Sequence, residues 1–175
     1  QPFRSSVTFG LAYTLRKQFL VYLPYQLYSK DEQWRVFGEL GWYRYIYRYF
    51  GVGNSVPNDF VESYTAQYPR LRVSAVRRVG GQHFLGLRCF FDDYNIRKTE
   101  VGGELEAGTL IGARGGRSSS VGAVWLYDTR DNQFFPGKGW LLEAAITAEG
   151  PWTGSNFQFA RFTLDAVRYL SFGNK

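Results

Sequence analysis

Methionine is missing from this chain altogether, cysteine and histidine occur once each, and no stretch stays apolar for the length of a membrane helix. Each shortage excludes something. With Cys89 alone there is no internal disulfide, and a single thiol reads as a small apolar residue on a strand face. His83 alone cannot build a metal cluster, and it is expected beside a turn near a strand end. A helical span needs about 18 uninterrupted apolar residues, so helical membrane crossing is excluded. Mean hydropathy of −0.30 does not exclude a β-barrel, because its strands alternate lipid-facing and lumen-facing residues and average out low. The lack of Met, with Gln1 in first place, is expected of a chain whose initiator and secretory signal have been removed, or of an expressed segment.

What is abundant is aromatic. Tyr, Phe and Trp make up 19% of the 175 residues (13, 15 and 5) while charged residues remain at 21%. A soluble core needs far fewer rings, whereas a membrane barrel places them in two interfacial girdles and keeps charge in its lumen and loops. The length predicts one domain, residues 1–175. The net charge of +6 raises the question of nucleic acid, but Arg and Lys are spread over strands and turns without a phosphate-tracking run. Outer-membrane lipid and anionic lipopolysaccharide are the expected partners instead, and nucleic acid is not.

Alternation of period two marks strands along the chain. Ser6–Thr14 places Val7, Phe9, Leu11 and Tyr13 on one face. Phe19–Leu27 follows, with Pro24 inside it; lacking an N–H, Pro24 predicts a bulge or locally broken pairing. Trp34–Tyr47 sets Val36, Leu40 and Trp42 against Arg35, Glu39, Gly41 and Tyr43. Phe60–Arg77 sets Leu71, Val73 and Ala75 against Arg70, Arg72 and Ser74. A Gly80-Gly81 turn leads to Gln82–Arg97, and Val121–Thr129, Trp140–Glu149 and Asn156–Phe172 complete the set. The total is about eight up-and-down strands, an all-β antiparallel transmembrane barrel pattern. Residues 50–59 form one long loop. Lys98–Ser119, with glycines at 102, 103, 108, 112, 115 and 116, reads as an exposed flexible loop; it lacks the lysine and serine spacing of a P-loop.

The most specific stretch is Tyr127–Trp140, YDTRDNQFFPGKGW. Asp128, Asp131 and Asn132 can bond their own backbone, Pro136 fixes φ, and Gly137 and Gly139 permit φ > 0, so a turn joins two strands here. The order Asp-Thr-Arg-Asp-Asn, two aromatics, Pro-x-Lys-Gly, then a strand carrying Glu143 closely resembles the barrel domain of the bacterial surface antigen family, the outer-membrane assembly factors of the BamA/TamA superfamily. Tyr49-Phe-Gly-Val-Gly-Asn54 resembles that family's aromatic-Gly-x-Gly-Asn loop, and Phe157–Tyr169 resembles its strand after the Arg-Asp-Asn hairpin. The resemblance covers most of the chain. It implies a Gram-negative outer-membrane location, a sixteen-stranded barrel, and protein insertion or translocation at a weakly paired seam. No POTRA repeats and no Arg-Gly-Phe or Arg-Gly-Tyr loop motif accompany it; Arg114-Gly115 is followed by Gly116. The residues matching the family's turn are Asp128, Arg130, Asp131, Asn132, Pro136 and Gly139, read here as a capped turn that holds register.

Parity across strands directs Arg35, Glu39, Arg72, Arg88, Asp92, Glu143, Arg161 and Asp165 toward the lumen, where mutual pairing is expected. On the lipid face an Arg or Lys near the midplane would cost roughly 2–4 kcal/mol. Glu39, Asp92, Glu143 and Asp165 read as members of this network rather than as a catalytic pair. No Gly-x-Ser-x-Gly elbow is present. Neither enzymatic activity nor a cofactor is expected. Closure has three solutions, since a sheet with open edges cannot span lipid: a second half-barrel, a second copy, or a small barrel closing alone, whose interior its own side chains would fill. The alternatives to an assembly factor are a structural or adhesion barrel with binding loops, or a pore.

Overall fold

The computed structural model describes residues 3–171. It holds one antiparallel sheet. The strands are β1 (Ser6–Val7), β2 (Gly10–Tyr13), β3 (Phe19–Tyr28), β4 (Trp34–Tyr49), β5 (Glu62–Gly80), β6 (His83–Lys98), β7 (Gly115–Asp128), β8 (Gly139–Glu149) and β9 (Phe159–Tyr169). β1 and β2 lie end to end against β3, so the wall is eight strands wide, each pairing its neighbour in sequence. β9 does not pair with β1 or β2, and the sheet is half a barrel. The small closed barrel is therefore overturned. Phe172, the predicted end of the last strand, lies outside the described residues.

The break between β1 and β2 has a one-atom cause. Their pairs with β3 keep a single register, Val7 with Tyr25 and Gly10 with Tyr22. The interruption falls opposite Pro24. Thr8 N–H donates to the Pro24 carbonyl at 3.0 Å, but proline has no N–H to return. On its other side Pro24 pairs with Glu39 without a shift.

Alternation decides the two faces. Val7, Leu11, Leu40, Trp42, Leu71, Leu85, Leu87, Ile146, Phe162 and Leu164 crowd the convex face and are exposed there. Cys89 is exposed on it too. The concave face carries the buried residues, with Val76, Phe84, Val124, Leu126 and Ala145 as its apolar centre. From Trp34 to Trp42 the apolar band of β4 covers nine residues, about 27 Å along the strand and roughly 20 Å of height once tilted. β4 and β6 have 16 residues and β5 has 19, more than the 9–11 or so a tilted strand needs to cross a bilayer. Their upper ends rise beyond the band.

At its lower rim the convex face carries one predicted aromatic girdle. His83 stacks on Tyr127 at 4.6 Å, Trp125 Nε1–H donates to His83 Nδ1 at 3.3 Å, and the Arg77 and Arg168 guanidinium groups lie over Trp34 and Trp140. Many of the remaining tyrosines depart from the girdle expectation and line the concave face. Tyr43 stacks on Tyr68 at 5.3 Å and Tyr47 on Tyr64 at 5.5 Å, and Tyr68 meets Tyr94 at a tilt, 4.3 Å between ring centres. Their hydroxyls explain the choice, because a phenol turned inward finds partners: Tyr47 Oη meets Tyr68 Oη at 2.6 Å, and Tyr43 Oη donates to Glu39 at 2.6 Å.

Candidate functional site

The concave wall is laid out in three tiers. The lowest is built on Asp128, the last residue of β7, which is 1% exposed. Its Oδ2 accepts Arg35 Nη1 at 2.8 Å and Arg130 Nη2 at 2.9 Å, and its Oδ1 accepts Arg130 Nε at 2.9 Å and Arg130 backbone N–H at 3.2 Å. The Arg35 guanidinium is wedged between rings, 3.9 Å from the centre of Phe84 and 4.3 Å from that of Phe3. Two arginines on one carboxylate leave a net positive cluster whose cost is offset by fixed hydrogen bonds and by ring faces.

The hairpin after β7 is folded inward by this tier. Arg130 Nη1 also donates to the Gln133 carbonyl, and the Gln133 amide reaches across the bowl to Gln26 Oε1 of β3 at 3.1 Å. Beyond it the turn is capped as predicted. Asp131 Oδ1 accepts Gly137 and Lys138 N–H at 2.9 and 3.2 Å, and Asn132 Oδ1 accepts Phe134 and Phe135 N–H at 2.9 and 3.1 Å. These bonds to the ionised form hold the Asp131 carboxyl below the usual carboxylate range, the Lys138 N–H contributing most. Pro136, which has no N–H, lies between Phe135 and Gly137, whose N–H groups Asn132 and Asp131 accept. Gly139 has φ 115 and comes so close to the Thr129 carbonyl that a Cβ would clash. Asp131 and Asn132 thus accept the turn's N–H groups, and Gly139 ends the turn where only a glycine fits. Asp128 caps the start of the turn as well, accepting the Arg130 N–H, and in addition it faces the lumen and ties the hairpin to β4 through Arg35.

The middle tier is a lattice of ion pairs. Arg88 of β6 meets Glu143 of β8 at 2.7 Å and donates to Ser74 at 2.8 Å. Asp92 accepts both Arg70 Nε at 3.0 Å and Arg72 Nη2 at 3.1 Å, and Arg70 lies 3.9 Å from Glu39. Glu39, Arg72, Arg88, Asp92 and Glu143 thus pair as parity predicts. Arg35 pairs too, but with the turn residue Asp128. Arg161 and Asp165 do not follow the expectation. They share the concave parity of β9, opposite Thr147 and Glu143, yet form no ion pair among the described residues. Their strand is the sheet edge, with nothing beyond it to answer their charge.

Sequence reasoning missed Arg70 as a member, although it shares Arg72's parity two positions away on β5. It also missed the upper tier, a concavity of about 690 Å³ lined by Tyr47, Tyr64, Tyr68, Tyr94, Phe90 and Phe157 among others. The chain between β6 and β7 roofs it. That segment is shorter than predicted, because β7 begins at Gly115, and it is pinned rather than merely exposed. Glu62 accepts the N–H groups of Glu104 at 2.6 Å and Leu105 at 3.2 Å at the start of the short helix α1 (Glu104–Ala107), and Glu100 accepts Ser63 N–H at 2.7 Å.

A family model described as the Omp85 superfamily domain matches residues 3–175. The chain belongs to the Omp85 superfamily. Comparison with curated proteins and with solved structures gives no match. Omp85 members are outer-membrane proteins of the assembly and translocation type, and the BamA/TamA-type resemblance read from the hairpin agrees with this match. In this Omp85 chain the hairpin motif and the inward charges, read separately in the sequence, are one connected wall.

Proposed function

We propose that this Omp85 chain is the wall of an outer-membrane barrel that assembles or translocates other proteins, with β9 and β1/β2 as edges at which further strands pair. The β9 edge carries the reading. Among the described residues its outer row of N–H and C=O groups is open and its concave residues Arg161 and Asp165 lack ion-pair partners, and its Asp165 faces Glu143 across the β8–β9 ladder, a like-charge pair that weakens the attachment of the edge. Unpaired backbone in lipid costs several kcal/mol per group, so such an edge recruits strands. The chain has an even number of strand positions, so β9 runs antiparallel to β1/β2. Strands from a second copy, a second half-barrel or a client therefore continue the same alternation.

The role is mechanical rather than enzymatic, with the wall carboxylates Asp92, Asp128 and Glu143 engaged by arginines. The rim bearing residues 50–61 and 99–114 faces outward and the rim bearing the Asp128 hairpin faces the periplasm, following the rule that outer loops are the longer ones. The test is the folding of a client barrel into vesicles with and without this protein. A faster folding rate is expected; an unchanged rate would sink the assembly role.

A further inference from the structure

Just above the apolar band the convex face changes character. Arg44 and Arg48 occupy convex positions of β4, since Trp42, two residues before, belongs to the band and Tyr43 to the concave face. Phe19 pairs with Arg44, and Lys17 precedes it in the β2–β3 turn. On the other side Gln67 pairs with Arg44, Ser63 with Arg48, and Thr65 pairs with Ile46 and with Lys98 of β6. A bulge between Thr65 and Ala66 brings Lys98 onto this face. The result is a strip three strand spacings wide, about 14 Å, with cations at both sides and hydroxyl and amide groups between.

None of Lys17, Arg44, Arg48 and Lys98 forms an ion pair or a side-chain hydrogen bond among the described residues, and all four are exposed. Arg35, Arg70, Arg72 and Arg88 of the concave wall, by contrast, are each paired with a carboxylate. Of the acids that reach this height, Asp93 is paired with Arg117 at 3.9 Å, and Glu100 is turned to the Ser63 N–H rather than to any of the four cations. On a soluble surface such cations would be solvated. Here they sit just above Trp42 and Leu40, with Phe19 level with Arg44, where lipid tails end and headgroups begin.

We infer that this strip is a binding site for the phosphorylated sugar headgroup of an anionic glycolipid of the outer leaflet. Arg44 and Arg48, about 13 Å apart along the strand, take phosphates as planar forks. Ser63, Thr65 and Gln67 face the sugar hydroxyls, and the acyl chains run down the apolar band. The site lies on the convex face, so it does not depend on how the barrel is completed. It does rest on the outward orientation of the long-loop rim.

The experiment is binding of bis-phosphorylated lipid A to the refolded full chain in detergent, counted by native mass spectrometry. Dephosphorylated lipid A, phosphatidylglycerol and inorganic phosphate serve as comparison probes, and R44Q/R48Q/K98Q and the single variant R44Q as comparison proteins. Each cation near an anionic lipid surface contributes roughly fivefold, so the triple variant should bind about a hundredfold more weakly and the single one about fivefold. Wild-type affinity should fall with added salt. Equal binding of dephosphorylated lipid A or phosphatidylglycerol, binding of inorganic phosphate alone, or salt-independent binding would each overturn the site. Heat-modifiability of the same samples reports the barrel independently. A heat-modifiable protein without lipid A binding refutes the site alone, and loss of the heat-modifiable form in the wild type refutes the barrel reading. Should the triple variant fail to fold, R44Q and the salt dependence decide.

Discussion

Arg35 and Asp128 stand 93 positions apart in the chain and 2.8 Å apart in the wall. One lies near the start of β4 and the other at the end of β7, so their contact ties the hairpin after β7 to the opposite part of the sheet. Both side chains are nearly fully buried, at 3% and 0% exposure. Removing one charge strands the other. Asp128→Asn is expected to destabilise the folded chain by about 3–5 kcal/mol. Pairing it with Arg35→Met should recover a large part of that loss. Urea unfolding followed by tryptophan fluorescence checks both, and equal stability of wild type and D128N would show that the pair is not structural.

Asp165 predicts the opposite sign. Its carboxylate faces that of Glu143 across the β8–β9 ladder, and Glu143 is already satisfied by Arg88. Asp165→Asn should strengthen β9 by a few tenths to about 1 kcal/mol. Slower hydrogen exchange of the β9 amides is the expected reading; faster exchange would mean that Asp165 has a cation the register does not provide.

Much of this wall was legible in the sequence because a strand's period of two is rigid. Once Arg72 and Leu71 point opposite ways, the rest of β5 follows, and the long pairings of β4, β5 and β6 leave little freedom. Two things were not legible. Parity says which face a residue joins but not which distant residue it meets, so Arg35 was placed inward without Asp128. Loop composition also misled at Gly115 and Gly116, where glycines that suggested a flexible loop instead begin β7 with φ values of 91 and 144. The Tyr43, Tyr47 and Tyr68 cluster was hidden for a related reason, because aromatic content alone does not distinguish a girdle from a hydroxyl-bonded inner wall.

Pro24 offers a test by addition. Replacing it with Val supplies an N–H opposite Thr8, whose own N–H already donates to residue 24 at 3.0 Å. The new amide should bond to the Thr8 carbonyl and join β1 to β2, a gain of about 1 kcal/mol. Protection of the residue 24 amide from exchange is the measurement, and an unprotected amide would mean that the break has another cause.

The hairpin also has a pH signature. Asp131 is held ionised by the Lys138 and Gly137 N–H groups, and its carboxyl lies below the usual range. A group lowered on folding stabilises fully above its unfolded value, about 3.9, and loses that contribution as pH falls through the lower folded value. The turn is therefore expected to hold its full order at neutral pH and to loosen only below about pH 4. Amide shifts of Gly137 and Lys138 across pH 2–7 (about the range needed) would follow it. Asp131→Ala should abolish that acid transition, and a transition that survives in D131A would assign it elsewhere.

The claim on which the rest depends is that this wall is open and needs strands from outside itself. The direct measurement is the mass of the detergent-solubilised, heat-modifiable particle formed by the purified chain, corrected for bound detergent. An open wall predicts a particle of more than one 20.1 kDa chain, its β9 edge satisfied by another copy. A homogeneous, heat-modifiable particle of one chain would mean that β9 closes on β1/β2, and would contradict the account.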